Sequence, residues 1–343
     1  MHRQILPPVL VLMLTGLPAC SGCSEGTSQR SQAASGAAGH AASVEIPGQL
    51  GDLPSELVVT DPLRERSGNA HSSPEESGVE PVDMRLFEYA GEVDTRNRYS
   101  STVMVETREP QVKTHCSGVL IGPSLVLTAG HCVCKWQEVS TSPGERGNLI
   151  EGSACAERVS IRTVVYEPSE SSHRPAKRFR TYEGAVRPHP ELRILLSRQG
   201  TELLNNADLA VILVDEPVNA VPSEAPIAKR EVQAKEPLIM AGFGSDEIIG
   251  AIDGMRYFRK SQASEAPTQA SGRVFYRQEG AYAYNGFNGG PCFREDVKGR
   301  QLVGIASVGT DHELSCTSTY YHRTWLQAEV RRSQRAALPP VAQ

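Results

Sequence analysis

The chain has 343 residues and a formal net charge of −5, so it lacks the clustered basic excess that nucleic-acid binding draws on. Aromatic residues make up 6%, against 30 Gly and 23 Pro, which suits a turn-rich β protein better than a helical bundle. The length allows one large or two small domains.

The first segment is a processing signal rather than part of a fold. His2 and Arg3 precede an apolar run from Ile5 to Leu17, too short to span a bilayer and shaped like the apolar core of a secretory signal. The run ends Leu17-Pro18-Ala19-Cys20, which resembles a bacterial lipobox. That resemblance implies removal of residues 1–19, a lipid on Cys20 and anchoring to the cell envelope. Ser21 after the cysteine implies the outer membrane of a Gram-negative cell. Ser21 to His40 is rich in Ser, Gly and Ala and cannot bury enough apolar surface to offset its chain entropy. Val44 to Asp83 is acidic and Pro-spaced, and continues this linker or forms a propeptide. Residues 20–83 are thus expected to be a tether, 84–330 the folded domain and 331–343 a tail.

Within that domain the apolar runs are short. Ser117–Ile121, Leu125–Thr128, Leu209–Val214, Leu238–Phe243 and Leu302–Val308 are strand-length, branched or leucine-rich, and bounded by turn formers. Between them, Glu167 to Arg193 is polar and Pro-punctuated, and is expected to be an exposed loop. Its Arg174, Lys177, Arg178 and Arg180 form a basic cluster, either a solvated face or a contact for anionic lipid. One helix is expected near the end, from Thr324 to Arg335, with Trp325, Leu326 and Val330 as its apolar face. The class is all-β; composition alone does not choose between sandwich and barrel.

Eight cysteines are present. With Cys20 assigned to lipid and Cys23 left in the tether, Cys116, Cys132, Cys134, Cys155, Cys292 and Cys316 allow three bridges in an oxidising compartment.

Cys116-Ser117-Gly118-Val119-Leu120-Ile121 followed by Thr128-Ala129-Gly130-His131-Cys132 closely resembles the histidine region of trypsin-like serine proteases. Other segments match that family in order: Val186–Pro190, then Asn206-Ala207-Asp208-Leu209-Ala210-Val211, then Ala241-Gly242-Phe243-Gly244, and finally Leu302–Ser307. The resemblance covers Leu86 to Glu329. It implies two six-stranded antiparallel β-barrels with a site between them and a short C-terminal helix. It also implies His131 as general base and Asp208 as the group that orients it. The order of histidine, aspartate and nucleophile is that of chymotrypsin. The resemblance implies a Cys116–Cys132 bridge, with Cys134–Cys155 and Cys292–Cys316 as the remaining expected pairs.

The departures are concentrated in one loop. Gly286-Phe287-Asn288-Gly289-Gly290-Pro291 stands where the family reads G-D-S-G-G-P. Asn288 at the nucleophile position has no ionisable proton and cannot form an acyl-enzyme. Phe287 replaces the aspartate that pairs with a new N-terminus after activation cleavage, and no R-I-V-G-G-like site occurs near Arg85–Tyr89. Tyr284 stands where the family has a cysteine. The oxyanion donors are expected at Gly286 and Asn288. Tyr282 is expected at the base of the specificity pocket, where it offers no carboxylate for Lys or Arg. Ser307-Val308-Gly309 resembles the strand that pairs with substrate backbone, an edge suited to β-augmentation.

Loss of a nucleophile costs roughly a millionfold in turnover. The expectation is a membrane-anchored homologue that binds peptides or proteins without cleaving them. The alternatives are an active serine endopeptidase using His131, Asp208 and another nucleophile, and a structural envelope protein in which both residues are relics. Neither metal-ligand spacing nor a phosphate loop is present, so no metal or cofactor is expected. The sequence specifies neither the ligand nor an oligomeric state.

Overall fold

A computed structural model of the chain describes residues 91–107, 115–142, 144–167, 176–219, 225–243, 245–246, 250–251, 254–269, 271–278, 286–297, 299–308 and 314–336. The expected signal and tether, Cys20 as the expected lipid site, Arg174, Tyr282, Tyr284, Gly309 and the end of the tail lie outside the described residues.

In chain order the first strands are β1 (Glu92–Val93), β2 (Thr102–Glu106), β3 (His115–Gly122), β4 (Leu125–Thr128), β5 (Gln137–Ser142) and β6 (Glu145–Glu151). They are followed by β7 (Arg158–Glu167), β8 (Ala176–Pro188), β9 (Arg193–Ser197), β10 (Glu202–Asn206) and β11 (Ala210–Val214). The second half contains β12 (Pro237–Gly242), β13 (Ser245–Asp246), β14 (Gly250–Ala251), β15 (Tyr257–Ala263), β16 (Arg273–Gln278), β17 (Pro291–Asp296), β18 (Gly299–Ala306) and β19 (Leu314–Ser318). One helix, α1 (Arg323–Ala336), closes the described chain.

The strands close into two six-stranded antiparallel barrels. The first runs β11-β4-β3-β2-β7-β8. The second runs β15-β12-β17-β18-β19-β16 and closes through β15–β16 pairing, with β1 added at β15. Bulges at Leu120/Gly122 and Cys292/Phe293 supply the curvature that closure needs. The apolar runs read from the sequence fill the barrels: β4 is buried throughout, and Val211, Ile212, Leu238, Met240, Leu302 and Ile305 are in the core.

Two features depart from expectation. The polar stretch after Glu167 is not a loop from end to end. β8 forms a ten-pair ladder with β7, from Arg158↔Ala185 to Glu167↔Ala176. Its strand character comes from the partner, whose Val159, Ile161 and Val164 are buried. The second departure is the third bridge. Cys116–Cys132 and Cys134–Cys155 are disulfides with sequence separations of 16 and 21, each adding about 3 kcal/mol in the chain-entropy account. Cys292 and Cys316, expected as the third pair, are free buried thiols. They sit on β17 and β19, either side of β18, and a Cβ on Gly304 of β18 would lie 2.7 Å from the Cys316 Cβ. Burial first, and then hydrogen bonding to Cys292, pushes the Cys316 thiol well above its usual range. The pair is packed as two small side chains without a bridge.

Helix α1 is fixed to the first barrel by a histidine pair. His189, just after β8, packs edge-on against Trp325 at 4.6 Å and against His322 at 4.8 Å between ring centroids. The backbone N–H of Glu191 donates to His189 Nδ1 at 3.1 Å, so the proton is on Nε2, which faces His322 Nδ1 at 3.3 Å. Both rings are therefore held neutral. Burial and then His322 lower the His189 pKa to about 4. Burial also lowers that of His322, against the opposing pull of Glu191. Both folded values lie below the unfolded value of about 6.5. The stability this pair confers is therefore complete above about pH 6.5 and is lost as pH falls towards about 4. Urea midpoints at about pH 7.5 and about pH 4.5 test this: the native chain should weaken on acidification more than His189→Gln/His322→Gln does. Equal acid sensitivity of the two chains would rule it out.

Candidate active site

His131 lies in a short 3₁₀ turn, Gly130–Cys132, that follows β4 directly. The Cys132 bridge to β3 pins that turn to the barrel. Asp208 lies two residues before the start of β11, next to Ala207, whose φ of 47° is left-handed and unusual for a non-glycine residue. A hydrogen bond from Leu209 N to Ala207 O, 2.6 Å long, tightens the turn around the aspartate.

The two residues meet at one end of the first barrel, where neighbouring strands β4 and β11 pair as Thr128↔Ala210. His131 Nδ1 and Asp208 Oδ2 are 2.7 Å apart, and the His131 backbone N–H donates to Asp208 Oδ1 at 2.9 Å. Ser307, at the end of β18, donates its hydroxyl to Asp208 Oδ2 at 2.6 Å. The second barrel thus reaches into the pair. Burial by itself would raise the Asp208 pKa, but the His131 charge and the hydrogen bonds from His131 and Ser307 hold the carboxyl below its usual range. An ionised Asp208 keeps the imidazole proton on Nδ1 and leaves Nε2 as the basic nitrogen, the arrangement a general base requires.

This pair rests on a polar chain that sequence reading missed. Asn205 Nδ2 donates to Ser307 Oγ at 3.1 Å and to Glu202 Oε2 at 3.0 Å. Glu202 is in turn ion-paired with Arg273. The continuous path is Arg273–Glu202–Asn205–Ser307–Asp208–His131. Asn205 and Glu202 belong to β10, an edge of the four-stranded sheet β10-β9-β6-β5. Proximity of Asn205 to Asp208 in sequence was the only available signal.

The loop expected to carry the nucleophile is a tight turn. Gly290 N donates to Phe287 O at 2.7 Å, and Gly289 at the third position has φ 74°, which matches a type II turn. Asn288 and Gly289 are its central residues, and Asn288 is half-buried. The turn docks on the first barrel through Ser117 N donating to Asn288 O at 2.9 Å. A Cβ on Gly289 would sit 2.3 Å from Ser117 O and 2.9 Å from Cys132 Sγ, so only glycine fits there. The loop is therefore seated beside the residue that adjoins His131.

Phe287 points into the second barrel. It is 1% exposed in an apolar cluster with Tyr257, Cys292, Val303 and Ala306. Its ring lies 5.3 Å from that of Tyr257, and the absent side chain of Gly242 leaves it room, since a Cβ there would be 3.2 Å from Phe287 Cδ1. Gly286 is buried, and its carbonyl accepts from the Tyr257 hydroxyl at 3.3 Å. Of the expected substrate strand, Ser307 N–H is spent on Ser315 O at 3.0 Å, and Val308 is half-buried.

Cys116, His131 and Cys132 form a cluster with metal-like spacing. Both sulfurs are committed to one disulfide, so no thiolate is available and the cluster does not fit a metal.

The family model described as Trypsin matches residues 90–327. A comparison with curated proteins found no match. Among solved structures, human heparin binding protein is 16% identical with a TM-score of 0.45, covering 72% of this chain and 96% of that chain. Two mutants of the same human protein align at 16% identity with TM-scores of 0.46 and 0.47, covering 72% and 74% of this chain and 96% and 99% of theirs.

Proposed function

Because the chain belongs to the trypsin family, we propose that it is an envelope-anchored member that has lost peptide-bond cleavage and binds extended peptides or proteins in the cleft. One observation carries this reading. The general-base pair is assembled, with His131 Nδ1 2.7 Å from Asp208 Oδ2, while the residue on the nucleophile turn is Asn288, whose amide gives His131 no proton to remove. The other expected half of activation, a buried carboxylate after Gly286, is replaced by the packed ring of Phe287.

No observation favours the active-peptidase alternative. Ser307 Oγ is engaged with Asp208, and Ser117 Oγ accepts from Phe243 N at 2.8 Å, so neither hydroxyl is poised at His131 Nε2. Export and a lipid on Cys20 belong to the same proposal; the apolar leader and two disulfides in the described domain support it.

The experiment is fluorophosphonate labelling of membranes from cells making the native chain or the Cys20→Ala chain. The native chain should stay in the membrane fraction unlabelled, and the variant should lose the membrane. A labelled residue in the native chain would overturn the loss of cleavage. Retention of Cys20→Ala on the membrane would overturn the anchor.

A further inference from the structure

The β7–β8 ladder outruns the barrel that it helps to build. β8 pairs with β7 from Ala176 to Ala185, but with β11 only from Gly184 to Pro188. The outer edge of residues 178–182 therefore has no strand partner among the described residues. Four successive residues there, Arg178, Phe179, Arg180 and Thr181, are exposed, while Val164 and Tyr166 of the partner strand β7 are buried, so the ladder is packed on the β7 side and exposed along β8.

The edge has a definite chemistry. Arg178 pairs across the ladder with Val165 and Arg180 with Thr163, so period two puts both guanidinium groups on one face. A groove of about 560 Å³ follows this edge, lined by Thr163, Val165, Arg178, Phe179, Arg180 and Asn219. Phe179 is 44% exposed, with Arg162 Cζ and Lys177 Nζ each 5.8 Å from its ring centre. Among the described residues the ion pair of Arg178 is with Glu167, an exposed pair 3.0 Å apart that screening leaves weak. Arg180 has no carboxylate within ion-pair distance among the described residues. This basic edge belongs to a chain whose net charge is −5, so its sign runs against that of the whole protein.

We propose that the open edge of β8 is a docking site for an acidic, extended polypeptide. The partner adds as a strand along residues 178–182 and places carboxylates at every second position, opposite Arg178 and Arg180. Charge on an edge strand also discourages aggregation, but protection alone gives no reason for a large exposed aromatic ring and a groove beside the arginines. A lipid surface would use the charge and leave both the groove and the unpaired backbone unused. The proposal does not depend on what the cleft binds.

Fluorescence polarisation with the full chain tests it. The probe is a short labelled peptide alternating Glu and Thr. Its controls are a peptide of the same composition with the acids in one block, and two peptides N-methylated at alternate residues in opposite phases. Arg178→Glu/Arg180→Glu should weaken binding of the alternating peptide about tenfold or more. Arg178→Gln/Arg180→Gln should weaken it less. Both residues are exposed, so each variant should keep the native unfolding midpoint. One N-methyl phase should abolish binding and the other should be tolerated, because only alternate N–H groups face β8. The proposal is overturned if the blocked peptide or both N-methyl phases bind as well as the alternating one. It is also overturned if the arginine variants change only the binding of phosphatidylserine-containing vesicles, which would make the ribbon a membrane contact.

Discussion

Asn288→Ser is expected to raise hydrolysis of an activated ester about a thousandfold over the native chain. The nucleophile is worth roughly a millionfold. Its partner already has the needed geometry, with His131 and Asp208 joined by two hydrogen bonds of 2.7 and 2.9 Å. An imperfect oxyanion site subtracts about a hundredfold to a thousandfold, because Phe287 sits where the family uses a carboxylate to shape that loop. The single substitution is the better test for a structural reason. Phe287→Asp would put a carboxylate among Tyr257, Cys292, Val303 and Ala306, and burying a charge without a partner costs several kcal/mol. The double variant is therefore expected to be less stable, and no more active, than Asn288→Ser alone. Active-site titration with a fluorophosphonate gives the result. If Asn288→Ser is folded and still unreactive while His131 keeps its contact with Asp208, the turn does not present residue 288 to the imidazole, and the nucleophile assignment fails.

Asp94→Ala is expected to cost about 3–5 kcal/mol, the range for leaving one member of a buried ion pair unmatched. Arg256 and Asp94 are both 0% exposed at the side chain, with Nε 2.8 Å from Oδ2. The same carboxylate accepts from the backbone N–H groups of Arg98 and Tyr99, both at 2.8 Å. Arg256 also donates to Val164 O at 2.8 Å and to Asn97 Oδ1 at 3.1 Å, and its backbone N meets the Tyr166 hydroxyl at 2.6 Å. Arg256 immediately precedes β15 of the second barrel, whereas Val164 and Tyr166 lie on β7 of the first. Removing Asp94 therefore strands a guanidinium at the junction of the barrels and frees two backbone donors. Since a whole domain is stabilised by about 5–15 kcal/mol, this substitution should lower the urea midpoint more than any of the surface changes proposed above. Asp94→Leu/Arg256→Met, which removes both charges, should recover much of the loss. A drop below about 1 kcal/mol for Asp94→Ala would mean that water or another acceptor replaces the carboxylate, and the clamp would not hold the barrels together.

Some parts of this protein were legible in one dimension because their chemistry is local. Leu125–Thr128 is bounded as a strand by its own branched and leucine residues and by the turn formers beside it. The run from Thr128 to Cys132 sets a histidine one step after a glycine turn and next to a bridging cysteine. Asp208 and the Gly286–Pro291 loop are similarly short patterns; in the structure Asp208 Oδ2 lies 2.7 Å from His131 Nδ1, and the loop docks on Ser117 through Asn288 O. A helix from Thr324 to Arg335 was expected from Trp325, Leu326 and Val330 on one face, and the observed helix runs one residue further at each end, Arg323–Ala336.

Other parts were decided only by closure of the barrels, since they join residues far apart in sequence. Asp94 and Arg256 are 162 positions apart, and Asn205 and Ser307 are 102 apart. Neither pair leaves a periodic trace, because each contact depends on strand register and not on neighbouring residues. The strand character of β8 was hidden for the same reason. Its exposed Lys, Arg and Thr residues show no apolar alternation, and only the ladder to β7 makes the segment extended. Cys292 and Cys316 could be counted from composition, but whether they bond or merely pack is fixed by β18 running between their strands. The sequence determined which groups can act; the tertiary structure determined which are near enough to do so, because hydrogen bonds and ion pairs act over about 3–4 Å and only a closed fold brings distant positions that close.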